Sequence, residues 1–394
     1  MSDLTTLFDA VAFKVLSRVD LPFVVSNQHE LNATVPLRNL FATLENVELE
    51  CTWYQFAESG TRLQPGSLKC YDARAKSAER TGRSEWRVYY KGDFLSDAEP
   101  GDVIILARKD AHIHAMLFDE NSPWLRSAAT LFGITEIAEK YQTFGPDELK
   151  KQDLNLVREL ILREMGFEFE SRPASSDTEL MLSSFGKTIP PTAVMSEFAR
   201  KHCGAPVGSA DDILMAWLQR ETDFYYALER VIVEEQIDAG FKSVEHFLEF
   251  SISIQNSRRA RRGLSLQNQL AALFERNGLK FQAQAKTEHK QKPDFLFPGA
   301  EQYHDAGYPA DKLVMLAAKT TAKDRWRQIL TEAVRIPVKH LCTLEPSISR
   351  DQTEEMARQE VQLVLPEPLH ATYTTAQRAC LLTLEQFISQ VKSV

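Results

Sequence analysis

Short apolar runs separated by turn signals dominate the first third of the chain. Runs such as 47–56 and 102–108 are bounded by dipeptides such as Ser59-Gly60 and Pro100-Gly101. Apolar runs of this length between glycine, proline and serine are typical of β-strands. The pattern therefore predicts a mainly β domain, a compact barrel or sandwich, with helical spacing appearing only between residues 124 and 170.

A polar, proline-containing stretch, SRPASSD, follows that domain. We predict a first domain over residues 1–170, a linker over 171–187 and a second domain over 188–394. The second domain begins with helical spacing, as in DDILMAWLQRETDFYYALERVIVEEQI, and ends in alternating strand and helix patterns. Such alternation predicts an α/β fold, a mixed sheet flanked by helices.

The stretch from Lys292 to Glu332 places polar residues at the ends of predicted elements. Asp294 precedes the apolar residues FLF, and the run LVMLAA ends in Lys319. From Lys323 the apolar residues recur at helical spacing, which predicts a helix with Glu332 beside its apolar stripe. We therefore expect an aspartate, a lysine and a glutamate to converge at two strand ends and a helix flank.

Such a group has a chemical use. Hydrolysis of a phosphodiester needs a divalent metal held by carboxylates, a water nucleophile and a cation facing the phosphate. Asp294 and Glu332 would bind the metal, and Lys319 would orient the water and offset charge in the transition state. Ala317, two residues before the lysine, stands where nucleases of this kind often carry an acid. The alternative is a solvated strand-end lysine and an ordinary charged helix face.

Three motifs give a more specific indication. KPDFLFP, the YHD of residues 303–305 and KTTAKDRWRQILTEA resemble the catalytic domain of the EcoRII restriction endonuclease family. The similarity extends from about residue 190 to the C-terminus. It implies a Mg²⁺-dependent nuclease of the PD-(D/E)xK fold. The family cuts both strands of a short specific DNA sequence, CCWGG-like, and acts as a homodimer.

The resemblance also assigns catalytic roles by position. They fall on Asp294, Lys319, Glu332, Gln267, Lys323 and Tyr303. Gln267 departs from the family, which usually has a glutamate there. Glutamine can bind metal or a bound water through its carbonyl oxygen, but it supplies no charge. A sequence-specific DNA-binding protein with a cleavage-impaired nuclease fold is therefore the main alternative.

Base recognition is expected directly after the catalytic lysine. In the family the positions of Lys323, Asp324 and Arg325 read the outer G·C pairs. Lysine and arginine donate to guanine O6 and N7, and aspartate accepts from the cytosine amino group. Base reading argues against a structure-specific repair nuclease, which would have no fixed target sequence.

A second basic segment, RRARRG, precedes the predicted helix of Gln267. It supplies Arg258, Arg259 and Arg261, which we predict to form a turn that faces DNA, as a similar segment does in the family. A basic surface turn without a ligand is the alternative.

The family also carries an N-terminal pseudobarrel, similar to plant B3 domains, that binds a second DNA copy as an effector. We transfer only this role, because the sequence match there is poor. The basic loop in YDARAKSAERTGRSEWRVYY is the corresponding candidate. Its candidate DNA contacts are Arg74, Lys76, Arg80, Arg83 and Arg87. An ordinary charged surface loop is the alternative.

Composition narrows the remaining classes. The 394 residues carry a net charge of −9, so any DNA-binding surface must be local. The five cysteines are widely spaced and lack CxxC pairs, which argues against disulfides and a zinc site. There is no apolar run near 18 residues and no signal-peptide pattern, which predicts a cytoplasmic protein with no membrane contact. No Walker or GxGxxG motif supports a nucleotide cofactor.

Overall fold

The chain forms two compact units. A computed structural model describes residues 3–21, 29–41, 46–57, 60–75, 82–167, 174–204, 206–323 and 325–394. Residues 1–154 and 161–169 form the N-terminal unit, and residues 155–160 and 170–394 form the C-terminal unit.

The N-terminal unit is built on one eight-stranded sheet. Its strands are β1 (Ala10–Val15), β2 (Glu30–Asn32), β3 (Val47–Ala57), β4 (Gly60–Asp72), β5 (Trp86–Tyr90), β6 (Val103–Lys109), β7 (His112–Phe118) and β8 (Gln142–Phe144). Their order is β2-β5-β4-β3-β7-β6-β1-β8. All neighbours pair antiparallel except β3 and β7, which are parallel. The mainly β fold predicted for this region is confirmed, and the large curled sheet is consistent with a pseudobarrel.

One face of this sheet packs around large aromatic residues. Trp53 on β3 is buried and stacks on Phe94, with ring centroids 4.1 Å apart. Gly66, on the neighbouring β4, makes room for that indole, because a Cβ at this position would collide with it. Alternation along the strands thus directs one side of each into the core.

Short helices complete the N-terminal unit. They are α1 (Val35–Leu40), α2 (Pro123–Phe132) and α3 (Pro146–Leu149), and α4 (Leu156–Glu164) contains the division between the units. The hydroxyl of Ser122 accepts from the Trp124 N–H and caps α2, which Pro123 begins. Gly133 ends that helix with a φ of 70°, a conformation that glycine adopts without a steric penalty.

The C-terminal unit contains a five-stranded mixed sheet. Its strands are β9 (Gln282–Ala283), β10 (Phe295–Phe297), β11 (Val314–Lys319), β12 (Lys339–Thr343) and β13 (Val361–Val364), in the order β13-β12-β11-β10-β9. Strands β9, β10 and β11 pair antiparallel, whereas β11, β12 and β13 pair parallel. Residues 314–318 of the central β11 are all buried, as expected for a strand covered on both faces.

Helices flank this sheet, and the predicted α/β fold is confirmed. They are α5 (Ser175–Phe185), α6 (Thr192–Lys201), α7 (Ala210–Ala239), α8 (Val244–Arg276), α9 (Ala300–His304), α10 (Arg350–Arg358), α11 (Thr375–Arg378) and α12 (Leu384–Ser393). In the described part of the chain, no helix combines the length and the apolar character needed to cross a membrane.

The segment predicted as a linker is partly folded. Residues 168–173 lie outside the described residues, so the first part of the 171–187 prediction stays a prediction. Residues 175–185 form α5, and Met181 of this helix is fully buried in a cluster with Met195 and Phe224. The second half of the segment is therefore a packed helix, because its apolar residues find partners on α6 and α7.

The basic segment RRARRG lies within a helix, and the predicted turn is wrong. Helix α8 runs without interruption from Val244 to Arg276. Arginine and alanine are good helix formers, and the interior Gly263 costs only about 1 kcal/mol. The buried residues Leu266, Leu270 and Phe274 anchor the C-terminal part of this helix.

The helix predicted from Lys323 is also shorter than expected. Among the described residues of this segment, only Trp326–Thr331 is helical, and it is a 3₁₀ helix. Trp326 and Ile329, three residues apart, are both fully buried, and a spacing of three matches the 3₁₀ repeat. Glu332 follows in an extended conformation and Ala333 has a φ of 45°. Glu332 is therefore presented by a loop and not by a helix flank.

Candidate active site

The carboxylate of Asp294 lies at the centre of the polar cluster. Asp294 directly precedes β10 and is only 5% exposed. Its Oδ1 accepts from the side-chain amides of Gln267 and Gln284, at 2.9 and 2.8 Å. Its Oδ2 accepts from the Ala318 N–H at 2.7 Å and lies 3.2 Å from Lys319 Nζ. Four donors, from α8, β11 and the residue that follows β9, therefore fix this carboxylate in one orientation.

Strand register explains why Asp294 meets Lys319. Phe295 pairs with Leu316 in the antiparallel β10–β11 ladder, so the next position towards the active site sets Asp294 beside Ala317. Ala317 is fully buried and its methyl group cannot bind a metal. A second acid has to come from outside this pair of strands.

Glu332 is that second acid. It is 9% exposed, and its Oε2 has no hydrogen-bond partner among the described residues. Burial raises the pKa of Glu332 to about 7; Lys319 opposes this shift and Asp294 reinforces it. The three residues predicted to converge are thus close enough to influence one another's charge. A buried carboxyl oxygen without a donor is costly unless a cation or a proton compensates it.

Tyr303 braces the loop that carries Glu332. Its hydroxyl, buried with the rest of the side chain, donates to the carboxylate of Glu288 at 2.6 and 2.7 Å. The Val334 N–H also donates to Glu288, and the Arg335 N–H donates to the Tyr303 oxygen, both at 3.3 Å. The contacts of Tyr303 favour a supporting role, and its predicted catalytic role stays a prediction.

Another buried carboxylate accepts hydrogen bonds from the turn after Lys319. Glu345 is 2% exposed and accepts from the Ala322 N–H and, at 3.0 Å, from the Lys323 N–H. The ammonium of Lys323 lies 3.5 Å from the same carboxylate. Glu345 therefore fixes the backbone of the predicted base-reading segment from its buried side, and Arg325 is exposed to solvent.

The arginines of α8 divide between two faces. Arg258 donates through Nε and Nη2 to the buried carboxylate of Glu229, at 2.8 and 2.6 Å. Arg261 lies over the ring of Tyr225, 5.2 Å from its centroid. Arg259 is exposed. Arg258 and Arg261 therefore serve the packing of α8 on α7, and Arg259 remains the best candidate of the three for an external contact.

In the N-terminal unit, two of the candidate arginines form ion pairs. The Nε of Arg74 lies 2.6 Å from Glu85, and Arg87 pairs with both Glu85 and Glu30. Phosphate would have to compete with these carboxylates for both guanidinium groups. Their predicted contact with DNA stays a prediction.

Several predicted DNA contacts cannot be placed. Lys76, Arg80 and Asp324 lie outside the described residues. Arg83 lies at the edge of the described part of the basic loop and is exposed.

Sequence analysis did not identify four residues that contact the cluster or its loops. Gln284 reaches Asp294 only because β9 pairs with β10, and Glu345 reaches the turn only because β12 is parallel to β11. Glu288 is found only through its bond to Tyr303. Lys339 donates to the carbonyls of Ala333 and Ile336 within the Glu332 loop. The position of Lys339 at the start of the apolar run KHLCT was the only sequence pattern that could have drawn attention to it.

Metal binding has to be judged on two carboxylates. In the described ranges, no group of three or more His, Cys, Asp or Glu residues lies close enough to hold a metal ion. Asp294 and Glu332 are the acids that interact with Lys319, and Gln267 adds an amide that donates to Asp294. This set differs from a site built entirely from acidic side chains.

The fold and this cluster define the class. A mixed sheet flanked by helices, with an aspartate before one strand and a lysine at the end of its antiparallel neighbour, is the PD-(D/E)xK nuclease fold. Residues 225–388 match the family model described as EcoRII C terminal. The predicted family is confirmed for the C-terminal domain.

A curated relative supports the same assignment. The chain is 42% identical over 204 residues to the type II restriction enzyme EcoRII of Escherichia coli. The match covers 52% of this chain and 50% of the relative, so it spans about half the length of that enzyme.

Two solved structures are more distantly similar. Metal-depleted Ecl18kI in complex with uncleaved, modified DNA is 17% identical, with a TM-score of 0.46, covering 56% of this chain and 85% of that chain. A restriction endonuclease PspGI–substrate DNA complex is 13% identical, with a TM-score of 0.44, covering 52% of this chain and 93% of that chain.

Proposed function

We propose that this chain is a type II restriction endonuclease that hydrolyses phosphodiester bonds in both strands of duplex DNA at a short specific sequence. The observation that carries the proposal is the cluster of Asp294, Lys319 and Glu332 inside the segment that matches the EcoRII C-terminal family. The identity to a type II restriction enzyme supports the same reaction.

The cluster fits a hard divalent cation. Asp294 and Glu332 offer carboxylate oxygens, which Mg²⁺ prefers, and the buried Glu332 Oε2 lacks a donor among the described residues. Gln267 could add its carbonyl oxygen if its amide turns over. Bound Mg²⁺ would polarise the phosphate and lower the pKa of a bound water.

The chain's own residues would position the substrate. Lys319, held 3.2 Å from Asp294, has an ammonium that can donate to the scissile phosphate and offset its developing negative charge. Lys323 lies in the adjacent turn, where Glu345 limits its movement. Fixing both cations before DNA arrives lowers the cost of orienting them during the reaction.

Cleavage of natural DNA tests the reaction directly. The purified 394-residue chain is incubated with plasmid and phage DNA in Mg²⁺, beside a Lys319→Ala variant. Discrete fragments that disappear with the variant support the proposal, and sequencing of their ends gives the site. A smear without fixed ends would contradict sequence specificity.

We further propose a CCWGG-like target, read in part by Lys323, Asp324 and Arg325, and a homodimer that cuts the two strands. The exposed position of Arg325 beside the catalytic lysine supports a contact with base edges. Fragment ends that share no CC and GG steps would refute the proposed target.

For the N-terminal unit we propose binding of a second DNA copy through a B3-like surface. The support is its large mainly β sheet together with the basic loop around Arg83. The full chain is compared on plasmids with one and with two target sites. Faster cleavage of the two-site plasmid, and stimulation of the one-site plasmid by an added oligonucleotide with the target sequence, are expected. Equal rates in all cases would refute the effector role.

A DNA-binding protein that does not cut is the second candidate. It is favoured by Gln267, whose neutral amide donates to Asp294 where the family usually has a third negative charge. If the wild-type chain binds its site but does not cut with Mg²⁺ or Mn²⁺, and Gln267→Glu gains cleavage, this second function is correct.

A further inference from the structure

A loop in the C-terminal unit carries three lysines that have no role in the site described above. It spans residues 284–292, between β9 and β10, and we call it the lysine loop. Lys286, Lys290 and Lys292 are exposed, whereas Ala285 and Thr287 are buried. The loop therefore presents its lysines to solvent and packs its small residues against the rest of the unit.

The lysine loop is a local positive surface. Among the described residues, none of its three ammonium groups forms an ion pair with a carboxylate. Glu288, the one acid in the loop, accepts instead from the Tyr303 hydroxyl and the Val334 N–H. The chain as a whole has a net charge of −9, so three exposed lysines without acidic partners stand out from it.

Hydrogen bonds hold the lysine loop against both proposed metal ligands. Gln284 donates to Asp294 twice, from its side chain at 2.8 Å and from its backbone N–H at 3.2 Å. The Ala333 N–H, next to Glu332, donates to the Thr287 hydroxyl at 3.4 Å. The lysines therefore stand on a backbone that is fixed relative to both acids.

Strand direction places the lysine loop at the active-site edge of the sheet. Because β9 and β10 are antiparallel, the loop that joins them emerges where β10 begins, at Asp294. The turn after Lys319 leaves the same edge, but on the side of β12. The pair formed by Asp294 and Lys319 is thus flanked by the proposed base-reading turn on one side and by the lysine loop on the other.

We propose that the lysine loop binds phosphates of duplex DNA next to the scissile phosphate, on the side away from the base-reading turn. Neighbouring strands lie about 4.8 Å apart, and successive phosphates of one DNA strand advance about 3.4 Å along the axis. The loop joins strands one and two places from β11, so it falls within about three phosphates of the cut.

This inference rests on the proposed function and adds to it a surface that sets the position of the duplex. Contacts with phosphate oxygens fix the register of a protein on DNA but carry no sequence information. The lysine loop therefore strengthens binding to target and non-target DNA alike. Its contacts exist before the reaction and during it, so their loss should raise KM more than it lowers kcat.

The salt dependence of binding tests these contacts. Fluorescence anisotropy measures the affinity of the 394-residue chain for a duplex that contains CCAGG and for a scrambled duplex, in Ca²⁺ over a series of KCl concentrations. Lys286→Ala, Lys290→Asn and Lys292→Ala should each weaken binding about three- to tenfold. Each should also reduce the slope of log K against log salt by about 0.9.

The triple variant should reduce that slope by about two to three, equally for both duplexes. Asparagine is used at position 290 because Lys290 has a φ of 63°, which asparagine adopts more readily than alanine. Circular dichroism of each variant confirms that the fold is retained.

Two controls separate the lysine loop from net charge. Lys312→Ala removes an exposed lysine just before β11, at the opposite edge of the sheet, and should leave affinity and slope unchanged. Arginine in place of all three loop lysines keeps the charge and should keep the slope. A loss in Lys312→Ala as large as in the loop variants overturns the inference.

The remaining outcomes separate this inference from the proposed function. If the wild-type chain binds and cuts DNA but the triple variant keeps the wild-type slope, the inference alone is overturned. A loss of affinity confined to the CCAGG duplex also overturns it, because the loop would then read bases. A wild-type chain that binds neither duplex overturns the inference and the proposed function together.

Discussion

Two regions supply the acids of the proposed active site, and they hold them in opposite ways. At the edge of β10 and β11, Asp294 accepts from four donors. In the loop after the 3₁₀ helix, Glu332 is buried with one oxygen that lacks a donor among the described residues. The carboxylate of Asp294 has its hydrogen-bond donors without a metal, whereas burial disfavours the charged form of Glu332. The difference indicates that Asp294 fixes the geometry of the site and that Glu332 responds to its contents.

We expect the largest loss of DNA cleavage from substitution of Asp294. Asp294→Asn removes the charge that faces Lys319 and one proposed metal ligand, so cleavage should fall about 10³-fold or more. Single-turnover cleavage of an oligonucleotide duplex measures the loss, and a gel-shift assay shows whether binding persists. Asp311→Asn, at an exposed position of the same unit, serves as the control. Cleavage within tenfold of wild type would remove Asp294 from the site.

For Glu332→Gln we expect a smaller loss of activity than for Asp294→Asn, and a higher free energy of unfolding at neutral pH. Glu332→Gln should lower cleavage by about 10²-fold, since one ligand loses its charge. The folded-state pKa of Glu332 is raised from 4.5 to about 7, so in EDTA the free energy of unfolding should fall as pH rises from 4.5 to 7. The fall attributable to this group is at most about 3 kcal/mol.

Urea denaturation between pH 4.5 and pH 8 measures that fall. It should be smaller in Glu332→Gln, and Mg²⁺ should reduce it in wild type. Identical pH profiles for both proteins in EDTA would show that the environment of Glu332 is not the source.

The next prediction concerns Glu345, which accepts from the Ala322 and Lys323 N–H groups of the proposed base-reading turn. Glu345→Gln exchanges an acceptor oxygen for a donor beneath the Ala322 and Lys323 amides, so the turn should loosen. We expect about a tenfold rise in KM with a smaller change in kcat, and weaker discrimination against altered outer base pairs. Glu301→Gln, at an exposed site, is the control. A change confined to kcat would place Glu345 in the chemistry and not in positioning.

The smallest effect is expected at the brace of the Glu332 loop. Tyr303→Phe removes the hydroxyl that joins Glu288 to the Arg335 N–H. The free energy of unfolding should fall by about 1–2 kcal/mol, and cleavage should fall only severalfold. A loss of cleavage as large as that of Asp294→Asn, with stability unchanged, would instead support a catalytic tyrosine.

The same contrast explains what could be predicted from the sequence. Asp294 and Lys319 were found because each stands at the end of an apolar run, a local pattern. Glu332 was identified, but its setting was wrong, because apolar residues at spacings of three and four fit an α-helix and a 3₁₀ helix alike. The fold class followed from the alternation of patterns in each half of the chain.

Other features depend on distant partners. Gln284 and Glu345 approach the site only through strand pairing, which no local pattern contains. The arginines of α8 were placed on a turn by analogy with a similar segment of the family, although arginine and alanine favour a helix. Arg258 then found a buried partner, Glu229, 29 residues earlier in the chain. A surface cluster in the sequence was thus partly an internal ion pair.

The switch from antiparallel to parallel pairing at β11 has a consequence for attempts to alter the proposed DNA specificity. Because β11 and β12 run in the same direction, the segment after Lys319 and the segment beginning at Leu344 emerge side by side. The first carries the proposed base-reading residues and the second carries Glu345, which holds their backbone. The conformation of the first segment therefore depends on Glu345 in the second. Replacing the segment after Lys319 with that of a relative, without the segment that carries Glu345, would remove the carboxylate that holds the backbone of the proposed base-reading residues.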